Sequence, residues 1–126
     1  MENSPKPIVL LHEKDDGHKM VIEHILSDLD CEILSTNSFP EAQEIIQNIG
    51  NKIVLLISNV GLCSVDNGFS LAEQLKTQNP DAKVVLISGL HHHEKLEDTD
   101  IEAFYTKPLS FQSFCKEIDE IIHPKI

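Results

Sequence analysis

Long apolar runs are missing from this sequence of 126 residues, and so is a basic segment followed by an apolar one at its start. A membrane-spanning helix needs roughly 20 apolar residues, and a secretory signal needs the basic-then-apolar order. We therefore expect a cytoplasmic protein with no membrane partner. Apolar residues make up 40% of the sequence and charged residues 25%, which is ordinary for a globular domain of this length.

Positive charge is also in short supply. Ten lysines, with no arginine, stand against twenty-one Asp and Glu residues, which gives a formal net charge of -11. A chain with this charge repels nucleic acid and anionic lipid before contact. We expect no direct binding to nucleic acid.

The sequence has three cysteines, Cys31, Cys63 and Cys115, which are odd in number and widely separated. They form no CxxC pair of the kind that zinc sites and redox motifs use. We interpret them as reduced, mostly buried thiols.

Short apolar runs rich in branched residues are present at 7–11, 53–58 and 83–88, and they predict strands buried on both faces of a sheet. Residues 31–36 and 102–108 supply two further strands. Apolar side chains at helical spacing follow the strands. The predicted buried face of the first helix comprises Met20, Val21, His24, Ile25 and Leu29.

Local signals mark the helix ends. Ser38 and Glu41 have the spacing of a capping box, which predicts a helix over 39–49 that stops at Gly50. Asn79 and the proline after it end the third helix. Residues 91–98 form a weak fourth helix at most, and Ser110 caps the last one.

Strands and helices therefore alternate along one domain, residues 1–126, with a core over about 6–123. This alternation predicts an α/β fold, a doubly wound parallel sheet with helices on both faces. Ligands of such sheets gather at the carboxyl ends of the strands. The residues at those ends are His12 and Glu13, positions 58–61, Ser88 with the glycine after it, and positions 106–108.

Three segments at these ends carry a family resemblance: "LISNVGLCSVDNGFSLAEQL", "VVLISGL" and "AFYTKPLSFQSF". In this order the chain resembles a response-regulator receiver domain over nearly its whole length. The resemblance implies a flavodoxin-like sheet of five strands in the order 2-1-3-4-5. It places Asn59 at the phosphoacceptor position, Ser88 and Lys107 at the positions that contact the phosphoryl group, and Phe104 at the aromatic switch position.

The receiver's chemistry, which the resemblance implies, uses an aspartate nucleophile and Mg²⁺ held by acidic residues. The acidic pair aligns with His12 and Glu13, so Glu13 alone keeps a negative charge among the three positions that include Asn59. An amide cannot form an acyl phosphate, because its nitrogen lone pair is delocalised into the carbonyl. We therefore expect a degenerate receiver that is not an enzyme, carries no cofactor and binds Mg²⁺ weakly or not at all.

Other interpretations remain open at this point. A displaced carboxylate, Asp15, Asp16 or Asp66, would restore a phosphorylatable receiver, with Glu13 holding a metal together with Asp15 or Asp16. Ser58 is a poor candidate for the phosphoacceptor position, because the spacing from Asn59 to Gly68 fits the family better than a register with Ser58 at that position. A flavodoxin-like flavin-binding protein or enzyme shares the architecture, but the loop after the first strand is acidic where a flavin phosphate needs Ser, Thr and Gly.

The segment 89–106 is shorter than the usual receiver spacing and contains "EDTD", so the fourth helix should be short or irregular. The three histidines at 91–93 do not converge on a helix or a strand, which argues against a specific metal site. We expect the domain to act in a phosphorelay through a protein partner: a histidine kinase, an output domain or another regulator. A homodimer is also compatible with the sequence.

Overall fold

A computed structural model describes residues 6–59, 68–88, 103–106 and 111–124. The strands are β1 (Ile8–His12), β2 (Glu32–Thr36), β3 (Ile53–Asn59), β4 (Lys83–Ser88) and β5 (Ala103–Thr106). The helices are α1 (Asp16–Ser27), α2 (Phe39–Ile49), α3 (Gly68–Gln78) and α4 (Phe111–Ile122), with a 3-10 turn at Gly50–Lys52. In this part of the chain, no helix is long and apolar enough to cross a membrane.

The strands form one sheet in the order β2-β1-β3-β4-β5, and every neighbouring pair is parallel. Parallel neighbours need crossover connections, and α1, α2 and α3 supply three of them. The predicted doubly wound parallel sheet is confirmed. Because all the strands run the same way, the ends of β1 and β3 meet at one edge, where His12 pairs with Ser58.

The core divides into two layers because side chains alternate between the two faces of a strand. Val9, Leu11, Leu55 and Ile57 pack with α1 and α4 on one face. On the other face, Leu10, Leu56, Val84 and Leu86 pack with α2 and α3. β1, β3 and β4 are thus buried on both faces, which explains their continuous apolar sequences.

The helix starts depend on side-chain caps. The Asp15 carboxylate accepts a hydrogen bond from the His18 amide at the start of α1. At α2, the Ser38 hydroxyl accepts from the Glu41 amide, so the predicted helix over 39–49 is confirmed. The capping box is only half formed, because the Glu41 carboxylate accepts from the Thr36 hydroxyl instead of returning to the Ser38 amide.

The predicted buried face of α1 is wrong in part, because Ile25 and Leu29 pack in the core and the other three residues do not. Ile22 and Leu26 are its fully buried residues, whereas Met20 is 64% exposed and Val21 and His24 are exposed. The two stripes lie side by side on the helix, and both contain Ile25 and Leu29. Packing against the sheet selects the stripe centred on Ile22 and Leu26.

Several predictions fall outside the described residues. These are the irregular fourth helix, the histidines at 91–93, the Ser110 cap, Cys63, Asp66 and Lys107. The other two cysteines, Cys31 and Cys115, are free thiols that are partly buried against the core.

Candidate functional site

The candidate site lies at the carboxyl edge of the sheet, where β1 and β3 end side by side. The parallel register places His12 opposite Ser58 and Asn59 opposite Ile87 of β4. Residues adjacent in sequence point to opposite faces of a strand, so Ser58 follows the α2 and α3 side and Asn59 the α1 and α4 side. Asn59 is half-buried, whereas Ser58 is fully buried.

His12 is a buried part of the α2 layer. Its Nδ1 atom lies 2.9 Å from the Ser58 hydroxyl oxygen, and both residues are 0% exposed. Its ring meets the Phe39 ring edge to face, with 6.1 Å between centroids. Phe39 begins α2, so this imidazole joins the ends of two strands to the start of a helix.

Ser58 also connects His12 to the backbone of Asn59. Its hydroxyl lies 3.3 Å from the Asn59 carbonyl oxygen, in donor geometry. If the hydroxyl proton is directed there, Nδ1 of His12 donates to Ser58. Ser58 is thus buried and committed to hydrogen bonds within the fold.

Glu13 enters a different set of contacts, on the α1 side of the edge. Its side chain is 2% exposed. The Oε2 atom accepts from the Asp15 amide at 3.1 Å, and the Oε1 atom lies 3.1 Å from Nδ1 of His18. The Glu13 amide donates to the Thr36 carbonyl, which extends the ladder between β1 and β2.

The two acidic residues that follow are engaged with α1 and its surroundings. Asp15 is the cap of α1, where its Oδ1 atom accepts from the His18 amide at 2.9 Å. The Asp16 carboxylate accepts from the side-chain amide of Asn37 at 3.0 Å. Both residues are exposed.

The family resemblance implies a Mg²⁺ site here, and the donor set at hand does not fit one. Mg²⁺ is usually held by one or two carboxylates together with waters in near-octahedral geometry. The Glu13 oxygens instead contact the Asp15 amide and Nδ1 of His18, and Asp15 serves as a helix cap. In the described ranges, no group of three His, Cys, Asp or Glu side chains is placed to hold a metal ion.

The remaining predicted site residues are only partly placed. Ser88 ends β4, and its backbone pairs with Thr106 of β5. Phe104 lies within β5, opposite Leu86. The side chains of Ser88 and Phe104 and the whole of Lys107 fall outside the described part of the chain.

Sequence reasoning overlooked two residues that the fold brings to this edge, His18 and Phe39. His18 stands five residues after Glu13, in the first turn of α1 behind a capping aspartate, and that spacing is a signal in the sequence. Phe39 carries no comparable signal, because its contact with His12 depends on where α2 docks.

Comparison with known protein families found no family model that matches the chain. Among curated proteins, the chain is 26% identical over 117 residues to the sensor kinase CckA of Brucella abortus. The match covers 90% of this chain and 12% of the kinase. The chain therefore spans only a small part of the relative that it matches.

Solved structures of receiver domains superpose on most of the chain. A CheY-like receiver domain protein from Methanospirillum hungatei has a TM-score of 0.78 and 20% identity, and covers 94% of each chain. A receiver protein from Sinorhizobium medicae has a TM-score of 0.79 and 17% identity, and covers 94% of this chain and 96% of its own.

Another such structure is the response regulator TrrA from Thermotoga maritima, in complex with Mg²⁺ and BeF. Its TM-score is 0.76 at 16% identity, and it covers 91% of this chain and 98% of its own. At these identities the comparisons show the fold, which is that of response-regulator receiver domains.

Proposed function

We propose that this chain is a receiver-like domain of a two-component phosphorelay that is not phosphorylated and acts by binding a protein partner. The observation that carries the proposal is Asn59 at the end of β3, beside a fully buried Ser58. Acyl phosphate formation needs a carboxylate oxygen as nucleophile. An amide at this point has the shape of the acceptor without its chemistry.

The contacts of the nearby carboxylates support the same proposal. A displaced acceptor must present a free oxygen to the phosphoryl donor, with Mg²⁺ alongside to neutralise charge. Glu13 is buried with both oxygens hydrogen-bonded, and Asp15 holds the start of α1. Recruiting either one would break contacts that position α1. The domain therefore needs neither a cofactor nor an enzymatic step of its own.

The proposed partner is a protein of the same signalling system: a histidine kinase, an output domain or another regulator. The match to part of a sensor kinase supports this choice, and the matched part is 12% of that longer protein. Association would then depend on the surface that the fold presents and not on a phosphorylation cycle. The net charge of -11 favours a partner with a basic contact surface.

Phosphoryl labelling tests the proposal directly. The purified chain is incubated with Mg²⁺ and acetyl phosphate and examined by intact-mass spectrometry, beside a receiver domain that has its acceptor aspartate. We expect an adduct on the control alone. A hydroxylamine-sensitive adduct on this chain would refute the proposal, and loss of that adduct in Asp15→Asn, Asp16→Asn or Asp66→Asn would identify the acceptor.

A second assay uses the phosphoryl mimic seen with the Thermotoga maritima regulator. Thermal unfolding of this chain is followed with Mg²⁺, with beryllium fluoride, and with both. We expect the same midpoint in all conditions, because the described residues provide no fit for the cation. A rise that requires both additives would mean that the pocket still binds a phosphoryl group.

A further inference from the structure

The carboxyl group of Glu13 is buried at the edge of the sheet. Its side chain is 2% exposed, and an ionised carboxylate removed from water is costly unless donors or cations compensate it. The resemblance to receiver domains implies that Mg²⁺ compensates the acidic residues at this edge. The structure gives Glu13 donors from its own chain.

Those donors come from two different parts of the first turn of α1. The Asp15 amide donates to Oε2, and Nδ1 of His18 lies 3.1 Å from Oε1. An ionised carboxylate can only accept hydrogen bonds, so the proton of this contact belongs to the imidazole nitrogen. His18 is therefore either the neutral tautomer with the proton on Nδ1 or the imidazolium ion.

The position of His18 is fixed independently of Glu13. Its backbone amide donates to the Asp15 cap at 2.9 Å, which sets the residue in the first turn of the helix. Its side chain is 18% exposed, so the contact with Glu13 is partly shielded from water. One helix start thus presents both an amide and an imidazole to the same carboxylate.

We propose that the His18 imidazole, and not a divalent cation, is the partner that holds the buried Glu13 carboxylate. Glu13 is then a positioning residue that ties α1 to the end of β1. The inference rests on the proposed function, since it concerns the pocket of a receiver-like domain. It identifies His18 as the residue that contacts Glu13 at the site where the resemblance implies a metal ion.

The tautomer of His18 provides a spectroscopic test. Nitrogen-15 correlation spectra of the imidazole rings are recorded at neutral pH, and His24, exposed on the same helix, is the internal control. We expect His18 to carry its proton on Nδ1, either in the neutral tautomer or in the imidazolium ion. A neutral His18 ring with its proton on Nε2 alone would overturn the proposal.

Thermal unfolding gives an independent test that uses matched variants. We expect His18→Ala to lower the midpoint by about 3 to 10 °C, through loss of a hydrogen bond to a buried charge. His24→Ala should have a midpoint near that of the wild type. Addition of Mg²⁺ should leave the midpoint of the wild type unchanged. Equal midpoints for His18→Ala and His24→Ala would overturn the proposal. So would a stabilisation of the wild type by Mg²⁺ that disappears in Glu13→Gln.

The outcomes separate this inference from the proposed function. A phosphoryl adduct on the chain, with His18 still protonated on Nδ1 and no effect of Mg²⁺ on the midpoint, would refute the proposed function alone. Stabilisation by Mg²⁺ through Glu13 without any adduct would refute the role of His18 alone.

Discussion

Ser58→Ala tests the contact that joins the ends of β1 and β3. The substitution removes one oxygen atom and leaves the backbone and nearly all of the side-chain volume in place. Ser58 and His12 are both fully buried, and the lost hydrogen bond spans 2.9 Å. Depriving a buried polar group of a partner costs about 1 to 3 kcal/mol. We expect the free energy of unfolding to fall by that amount.

Urea denaturation measures the loss, and Ser27→Ala is the matched control. Ser27 is exposed, and its hydroxyl donates to the His24 carbonyl at 2.7 Å. Removing this exposed hydroxyl should change the free energy of unfolding by less than about 0.5 kcal/mol. Equal losses of stability for the two variants would mean that the buried hydrogen bond contributes no more than the exposed one.

A double-mutant cycle isolates the interaction from the effects of each side chain. Replacing both polar partners with apolar groups is less costly than orphaning one of them. We therefore expect His12→Phe with Ser58→Ala to lose less stability than the sum of the two single variants, by about 0.5 to 3 kcal/mol. Strict additivity would show that the buried imidazole and hydroxyl do not depend on each other.

Two further predictions concern the frame around the site. The Ser35 hydroxyl donates to the Glu23 carboxylate and is the largest cause of the lowered pKa of Glu23, so Ser35→Ala should raise that pKa in an NMR titration. The lowered pKa stabilises the fold at neutral pH, and this stabilisation is lost as the pH falls through the folded-state pKa. The free energy of unfolding of Ser35→Ala should therefore fall less in acid than that of the wild type. An unchanged pKa of Glu23 in the variant would contradict this prediction. The Asn79 side chain donates to the Ile53 carbonyl at 3.0 Å, and Asn79→Ala should cost about 1 to 2 kcal/mol in urea denaturation. The exposed Asn48→Ala is its control, and equal losses would contradict this role.

The fold was predictable because its signals are local. Apolar runs of five or six residues predicted strands buried on both faces, and the structure places Leu10 and Leu11 in opposite layers of the core. Ser38 predicted where α2 begins, because its hydroxyl accepts a hydrogen bond from an amide only three residues later. Such signals need no knowledge of the rest of the chain.

The face of α1 shows where local pattern was insufficient. Two neighbouring stripes of the helix are apolar, one with Met20 and Val21 and the other with Ile22 and Leu26. Periodicity alone does not rank them, because both repeat at helical spacing. The sheet decides between them, since the buried stripe must meet Val9 and Leu11.

The alternation of strands and helices follows from the order of the amino acids, as does the chemical identity of the groups at the strand ends. An amide at position 59 lacks a nucleophilic carboxylate in any fold. The partner that each group meets depends on how the strands and helices pack. His12 meets Ser58 across 46 residues because two parallel strands end together, and Glu13 meets His18 because α1 starts above it. The contact of His12 depends on the packing of strands distant in sequence, which no local pattern encodes, whereas Glu13 and His18 are only five residues apart.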